Sequence, residues 1–357
     1  MGDADWLLYG ANGYTGELIA REAVRRGMRP ILAGRSKQKI AALAAELNCP
    51  SAVFDLDDHT TLVSSLANVA AVLHCAGPFS ATARSMMQAC LASHVHYFDI
   101  TGEIPVFELA HSVDDKARRA GIVLCPGVGF DVVPTDCVAL KLKQALPDAT
   151  HLALGFDSHS GLSKGTAKTA IESAGAGSCM RRDGRLIEVP LASQTRRIDF
   201  GNGEKLAVGI PWGDVSTAYF STGIGNIEVF TASSAKAVAQ MRRANLLRPL
   251  LRRRWVTALI KSGIQRRLQP PSQAQRDNNP SFVWGEARNA AGRTVTARVR
   301  TANGYALTVA SSLAFITQVL KNPGANAEAA GYATPGMLMG EDFVSTLPGS
   351  SQIQLDA

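Results

Sequence analysis

The stretch Trp6–Gly27, WLLYGANGYTGELIAREAVRRG, decides the fold. A short apolar run, 6–9, leads into Gly10, Gly13 and Gly16, and apolar residues then recur at helical spacing to about Arg26. A strand, a glycine turn and an amphipathic helix in that order form a phosphate cradle. The first glycine permits the tight turn, the second lets backbone approach a pyrophosphate, and the third allows close helix–strand packing. Amide groups at the helix start and the helix dipole then favour an anion. Gly10, Ala11, Asn12, Gly13, Tyr14, Thr15 and Gly16 are therefore the candidate pyrophosphate-binding residues.

Outward from this turn, the first 145 residues alternate between two periods. Apolar runs at 6–9, 31–33, 52–54, 71–75, 97–100 and 122–125 read as buried strands. Helical patterns lie between them at 16–26, 37–47, 59–66, 82–93 and 106–120, and another follows at 131–146. That alternation predicts a parallel sheet with right-handed crossovers. Each strand end then offers a loop to a ligand. The second ends in ILAGRSKQK, with Arg35 and Ser36 where a ribose-binding acid would otherwise stand. Arg suits a 2′-phosphate, so NADP(H) is expected rather than NAD(H). Asp55, after the third strand, is expected either to cap the helix beginning at His59 or to contact the adenine side. Ala76, Gly77 and Pro78 follow the fourth strand, where open α/β sheets bind ligands.

The fifth and sixth strands lead into residues 99–103 and 125–131, where Gly102, Gly127 and Gly129 allow backbone close to a flat ring. Thr101, Glu103, Asp131 and Asp136 are the polar groups delivered there. Asp131 and Glu103 are candidate general acids or substrate anchors, with helix capping or a first-turn acid as the alternative for each. His74, His94, His96 and His159 have no carboxylate partner legible in the sequence and read as structural.

From about 150 to 301 the runs shorten to 151–156, 185–189, 196–200, 205–208, 227–231, 282–287 and 294–300, several joined by hairpin turns at 183–184 and 201–203. A mostly antiparallel sheet is expected, with helical inserts at 164–174 and 235–268 and an exposed loop at 269–280. A last helix, 304–320, precedes a Gly/Pro-rich tail. The domain expectation is 1–148, then 149–302, then 303–357 packing back on the first domain. In the second part, Ser163, Lys164, Gly165 and Thr166 stand at a predicted helix start. Lys164 there suits a substrate carboxylate or phosphate, or the role of proton donor.

The sequence resembles the saccharopine-dehydrogenase-like oxidoreductases, and within them the trans-acting enoyl reductase branch. GANGYTG (Gly10–Gly16), AGRS (Ala33–Ser36), CAGPF (Cys75–Phe79), YFDITGE (Tyr97–Glu103) and PGVGFDVVPTD (Pro126–Asp136) carry the resemblance. SKGTAKTAIES (Ser163–Ser173) and MRRDGRL (Met180–Leu186) extend it. It implies a Rossmann domain, completed by C-terminal helices, with an α/β substrate domain inserted. The implied activity is NADPH-dependent reduction of a conjugated C=C bond on a small or carrier-bound acyl or polyketide-like substrate. Imine or carbonyl reduction, or an NADPH-binding regulator without catalysis, are the alternatives. No tyrosine is followed four positions later by lysine, which argues against a short-chain alcohol dehydrogenase.

Composition narrows the partners. The 357 residues are 46 % hydrophobic and 19 % charged, which excludes an intrinsically disordered chain. A net charge of +7 invites a polyanion partner, but residues 229–276 hold eleven Lys or Arg and no Asp or Glu. The remainder is slightly acidic. The segment 235–268 is therefore the candidate for an acidic carrier protein or an anionic membrane surface. Nucleic acid is not expected, since neither interleaved aromatics nor a helix-turn-helix pattern accompanies the charge. The six cysteines lack metal-ligand spacing, so no metal is expected. A basic region before an apolar stretch is missing at the start, and the uncharged run 301–320 contains Asn303, Ser311, Ser312 and Gln318. It reads as a buried helix, and a cytoplasmic setting, with peripheral membrane association through the basic segment, is expected. A homodimer is a further expectation.

Overall fold

The computed structural model describes residues 6–158, 177–247, 279–321 and 328–356. It divides into two compact units, residues 1–130 with 308–338, and residues 131–307 with 339–357.

The first unit is the expected doubly wound parallel sheet. Its strands are β1 (Trp6–Tyr9), β2 (Ile31–Gly34), β3 (Ser51–Val53), β4 (Ala71–His74), β5 (His96–Asp99) and β6 (Val123–Cys125). Their spatial order is β3-β2-β1-β4-β5-β6, with a two-residue strand, Gly331–Tyr332, parallel beside β6. The order reverses between β1 and β4, which opens the crevice where such sheets bind dinucleotides. Helices cover both faces, so every residue of β1 and β4 is buried. Helix Tyr14–Arg25 turns Gly16, Ile19, Ala20 and Ala23 inward. Its outer face carries Arg21, bridged to Glu17 at 2.9 Å and to Glu46 at 2.6 Å. The helix expected over 106–120 is two helices, Ile104–Ser112 and Asp114–Ala120. Asp114 starts the second, and its carboxylate accepts from Tyr332 N at 2.6 Å, which docks the added strand.

The run 301–320 is the buried helix that its embedded polar residues implied. Helix Gly304–Lys321 buries Leu307, Leu313, Phe315 and Ile316, and Ser311 Oγ donates to Val128 O at 2.6 Å. No helix among the described residues is long and apolar enough to cross a membrane.

The second unit holds a mixed sheet of β7 (Ala149–Asp157), β8 (Ser178–Arg182), β9 (Arg185–Val189), β10 (Thr195–Asp199), β11 (Glu204–Gly209), β12 (Asn226–Ala232), β13 (Ser281–Asn289) and β14 (Thr294–Thr301). The path runs β10-β11-β12-β7-β13-β14, with β8 and β9 branching from β12. All pairings are antiparallel except β12 with β7. The turn at Asp183 and Gly184 has φ of 46° and 77°, the pair of left-handed residues that a tight two-residue hairpin needs. The sheet rolls on itself. Arg196 of β10 bonds Glu286 of β13 at 3.0 Å, and Arg298 of β14 donates to Asp199 O at 2.9 Å. The enclosed core is Phe200, Phe230 and Trp284.

Two boundaries differ from expectation. Helix Val133–Ala145 belongs with the second unit, because Gly285 of β13 leaves it room. A Cβ at Gly285 would stand 2.6 Å from Val138 Cγ1 and 2.8 Å from Leu142 Cδ1. The tail does not all return to the first unit either. Residues 339–357 group with the second, where strand Gln354–Asp356 pairs with β14. Helix Asp214–Thr222 was not anticipated, since its apolar residues lack a clear stripe. The expected helix 164–174 lies outside the described residues, as does the basic segment beyond residue 247.

Candidate dinucleotide site

The turn after β1 is shaped as the glycine spacing requires. Gly10 has φ of 81°, and a Cβ there would stand 2.9 Å from Ala76 N. A Cβ at Gly16 would lie 2.3 Å from Gly10 O, and one at Gly13 would lie 3.1 Å from the same oxygen. Gly10 N and Ala11 N both donate to Ala33 O, and Gly13 N donates back to Gly10 O. The helix Tyr14–Arg25 that follows has Gly13 as its N-cap and no side-chain cap. An anion is the natural complement of such an end. The turn fits a pyrophosphate, because glycine at these positions lets the backbone close up and the helix start keeps its amides free of a side-chain cap.

The loops around the turn are linked. Ala76 touches Gly10, and Asn12 Oδ1 lies over Gly34, where a Cβ would come within 2.9 Å. Arg35 is exposed immediately beyond, and Ser36 is the N-cap of helix Lys37–Leu47 without a side-chain cap bond. The two residues thus stand side by side at the strand end where the sequence places a 2′-phosphate contact. Tyr9 closes the floor here, its hydroxyl donating to Phe54 O at 3.2 Å. Burial pushes that phenol up to about 12, with Asp55 adding to the rise and Arg35 opposing it. Asp55 does not cap the next helix. Asp58 does, accepting from Thr61 N at 3.1 Å, while Asp55 accepts from Asp57 N. Three residues separate Asp58 from the expected Asp55, and only backbone geometry selects between three nearby aspartates.

Pro78 precedes helix Phe79–Ser93 and has no side chain with which to cap it. Glu103 supplies the cap from another loop, its carboxylate accepting from Phe79 N at 2.9 Å and Ser80 N at 2.8 Å. This corrects the expectation of a first-turn acid in the helix that begins at Ile104, since Glu103 is the N-cap residue there without capping it. Gly77 and Pro78 are held from the other side. Thr82 Oγ1 donates to Ala76 O at 2.8 Å, with Pro78 O at 3.1 Å, and His74 Nε2 meets that hydroxyl at 2.9 Å. Burial alone lowers the His74 imidazole to about 3.

Asp99, which the sequence pattern does not single out, is the hub of the next two loops. It is fully buried, and Oδ1 accepts from both Thr101 N and Gly127 N at 2.9 Å. Its Oδ2 accepts from Tyr97 Oη at 2.6 Å. Burial raises its carboxyl to about 6 against the pull of those three donors. Gly102 sits in the loop so held, and Gly127 adopts φ of 79°. Thr308 Oγ1 accepts from Phe130 N, so helix Gly304–Lys321 clasps the far end of the β6 loop.

Asp131 opens the second unit. Its carbonyl accepts from Trp212 Nε1 at 2.7 Å. It is not the cap of the helix that follows, which begins at Val133 with Val132 as N-cap and no side-chain cap bond. Lys164 lies outside the described residues.

A parallel sheet reversing at β1 and β4, with a glycine cradle at that reversal, defines a dinucleotide-binding domain. Residues 6–125 match the family described as saccharopine dehydrogenase NADP binding domain, and this part of the chain is such a domain, with NADP(H) as its cofactor. A trans-acting enoyl reductase of Mycobacterium bovis is 28 % identical over 210 residues, 54 % of this chain and 50 % of that protein. The human saccharopine dehydrogenase-like oxidoreductase is 25 % identical over 202 residues, 49 % and 47 % of the two chains. These alignments thus span no more than half of either relative. Among solved structures, the apo saccharopine dehydrogenase (L-Glu forming) of Saccharomyces cerevisiae covers all of both chains with a TM-score of 0.64 at 12 % identity, a likeness of fold.

Proposed function

We propose that the protein is an NADPH-dependent reductase acting on the conjugated C=C bond of a small or carrier-bound acyl substrate. The observation that carries the reading is the cradle of Gly10, Gly13 and Gly16 in an NADP-binding domain, with Arg35 exposed at the adjoining strand end. The C=C specificity is drawn from the relative named as a trans-acting enoyl reductase, and that name also motivates a carrier-bound substrate. Bound NADPH supplies a hydride. The chain's own part is to hold the pyrophosphate on the amides of the turn, to pair Arg35 and Ser36 with the 2′-phosphate, and to furnish a proton to the reduced substrate.

For that proton we favour Asp131 over Glu103. Both oxygens of Glu103 are committed to the amides of Phe79 and Ser80, and drawing it into catalysis would uncap a helix. Lys164 stays a candidate anchor or donor. Residues 235–268 are the proposed docking segment for an acidic carrier or an anionic surface. Helix Ala235–Ala244 carries Lys236, Arg242 and Arg243 on exposed positions.

The test is NADPH consumption over matched panels of enoyl thioesters, cyclic imines and ketones. Turnover confined to the enoyl panel supports the reading. Turnover confined to imines or ketones overturns the C=C assignment, and tight NADPH binding without turnover on any panel overturns the assignment as an enzyme.

A further inference from the structure

Three strands of the first sheet end in register on buried polar residues. Tyr9 of β1 pairs with His74 of β4, and His74 pairs with Asp99 of β5. Their side chains are 1 %, 0 % and 0 % exposed. Side chains in register on neighbouring parallel strands share a face, and the Tyr9 and His74 rings stand 5.5 Å apart between centroids. Burying polar groups side by side is costly unless each is hydrogen-bonded. Each of the three bonds outward, to a different loop at the carboxyl edge.

Tyr9 reaches the loop after β3 through Phe54 O. His74 reaches the loop after β4 through Thr82, whose single proton is committed to a backbone carbonyl, so the imidazole donates from Nε2. Asp99 reaches two loops at once. The amides of Thr101, after β5, and Gly127, after β6, converge on one oxygen, and Val128 N donates to the Asp99 carbonyl at 2.8 Å. Two chain segments that share one acceptor cannot change their spacing without breaking a bond. Tyr97 in turn fixes the carboxylate through Oδ2.

The loops so divided correspond to the two halves of the site. In this strand order the turn after β1 and the ends of β2 and β3 serve one mononucleotide, while the ends of β4 to β6 serve the other. We propose that Asp99 is a positioning residue that sets the loops for the nicotinamide half of the cofactor through Thr101 and Gly127, leaving the adenosine half untouched. The proposal rests on the NADP(H) assignment.

Two probes separate the halves. NADPH engages both, whereas adenosine 2′,5′-bisphosphate engages the adenosine half alone. Their dissociation constants are measured for the parent, Asp99→Ala, Asp99→Asn and Tyr97→Phe, with circular dichroism establishing which variants are folded. Asp99→Ala is expected to weaken NADPH at least tenfold while the bisphosphate changes less than twofold. Asp99→Asn, which keeps an acceptor for the two amides, is expected to recover part of that loss. Should Asp99→Ala fail to fold, Asp99→Asn and Tyr97→Phe still read the ratio, each with a smaller loss confined to NADPH. Equal losses for both probes, or unchanged affinity for both in folded variants, overturn the proposal. A parent that binds neither probe overturns the NADP(H) reading instead.

Discussion

Replacing Gly16 with alanine probes the cradle at its tightest point. The new Cβ would sit 2.3 Å from Gly10 O and 3.0 Å from Ala11 Cα. Neither neighbour is the end of a flexible side chain, so backbone must give way by about 1 Å to reach ordinary contact. Gly10 O also accepts from Gly13 N at 2.9 Å, and displacing it loosens the turn itself. Overpacking of this kind costs about 1–3 kcal/mol. If the turn relaxes by moving out of its binding geometry, the same energy appears as a loss of roughly 5- to 150-fold in NADPH affinity. The assay is a fluorescence titration of NADPH alongside thermal unfolding. Gly27→Ala is the control, since Gly27 has φ of 78° and nothing within 4 Å of a Cβ. It should cost about 1–2 kcal/mol of stability through the left-handed backbone and leave affinity alone. A folded Gly16→Ala protein binding NADPH within twofold of the parent would refute the reasoning.

Three further outcomes are expected. Arg35→Ala should weaken NADPH by about 10- to 150-fold, the loss of a charge-assisted contact worth roughly 1.5–3 kcal/mol, while NADH affinity hardly changes; parallel titrations check it. Gly285→Ala should lower stability in urea by about 1–3 kcal/mol, because the added methyl meets Val138 and Leu142 on the packed helix. His74 has a folded pKa of about 3, below the usual imidazole value of 6.5, so the unfolded chain binds the extra proton and His74 costs stability as pH falls below 6.5. From pH 7 to pH 5 that cost grows by about 2 kcal/mol, and a His74→Gln protein should gain that much relative to the parent over the same interval in paired urea titrations. An unchanged difference between the two proteins would show that His74 is accessible to protons in the folded state.

The first unit was legible because its signals are local. Buried parallel strands read as continuous apolar runs, and the glycines at 10 and 16 mark positions where a Cβ would come within 2.9 and 2.3 Å of backbone, with Gly13 tighter than ordinary contact at 3.1 Å. The second sheet's hairpins were legible for the same reason, through Asp183-Gly184 and Gly201 to Gly203. What escaped the sequence is what distant chain segments decide together. Glu103 caps a helix that begins 24 residues earlier, and nothing near it signals that Pro78 leaves the helix uncapped. Asp99 looks like the end of a strand until Gly127, 28 residues on, is seen to share its oxygen with Thr101. His74 reads as structural, and only the fold shows that what it supports, through Thr82, is the loop after β4. The allocation of helix Val133–Ala145 to the second unit depends on Gly285, far along the chain.

The central claim is that this chain binds NADP(H) through the glycine turn and Arg35. Calorimetric titration of the purified protein with NADPH and with NADH tests it most directly. One site per chain and at least tenfold tighter binding of NADPH are expected. Equal affinities, a preference for NADH, or no binding of either would contradict it.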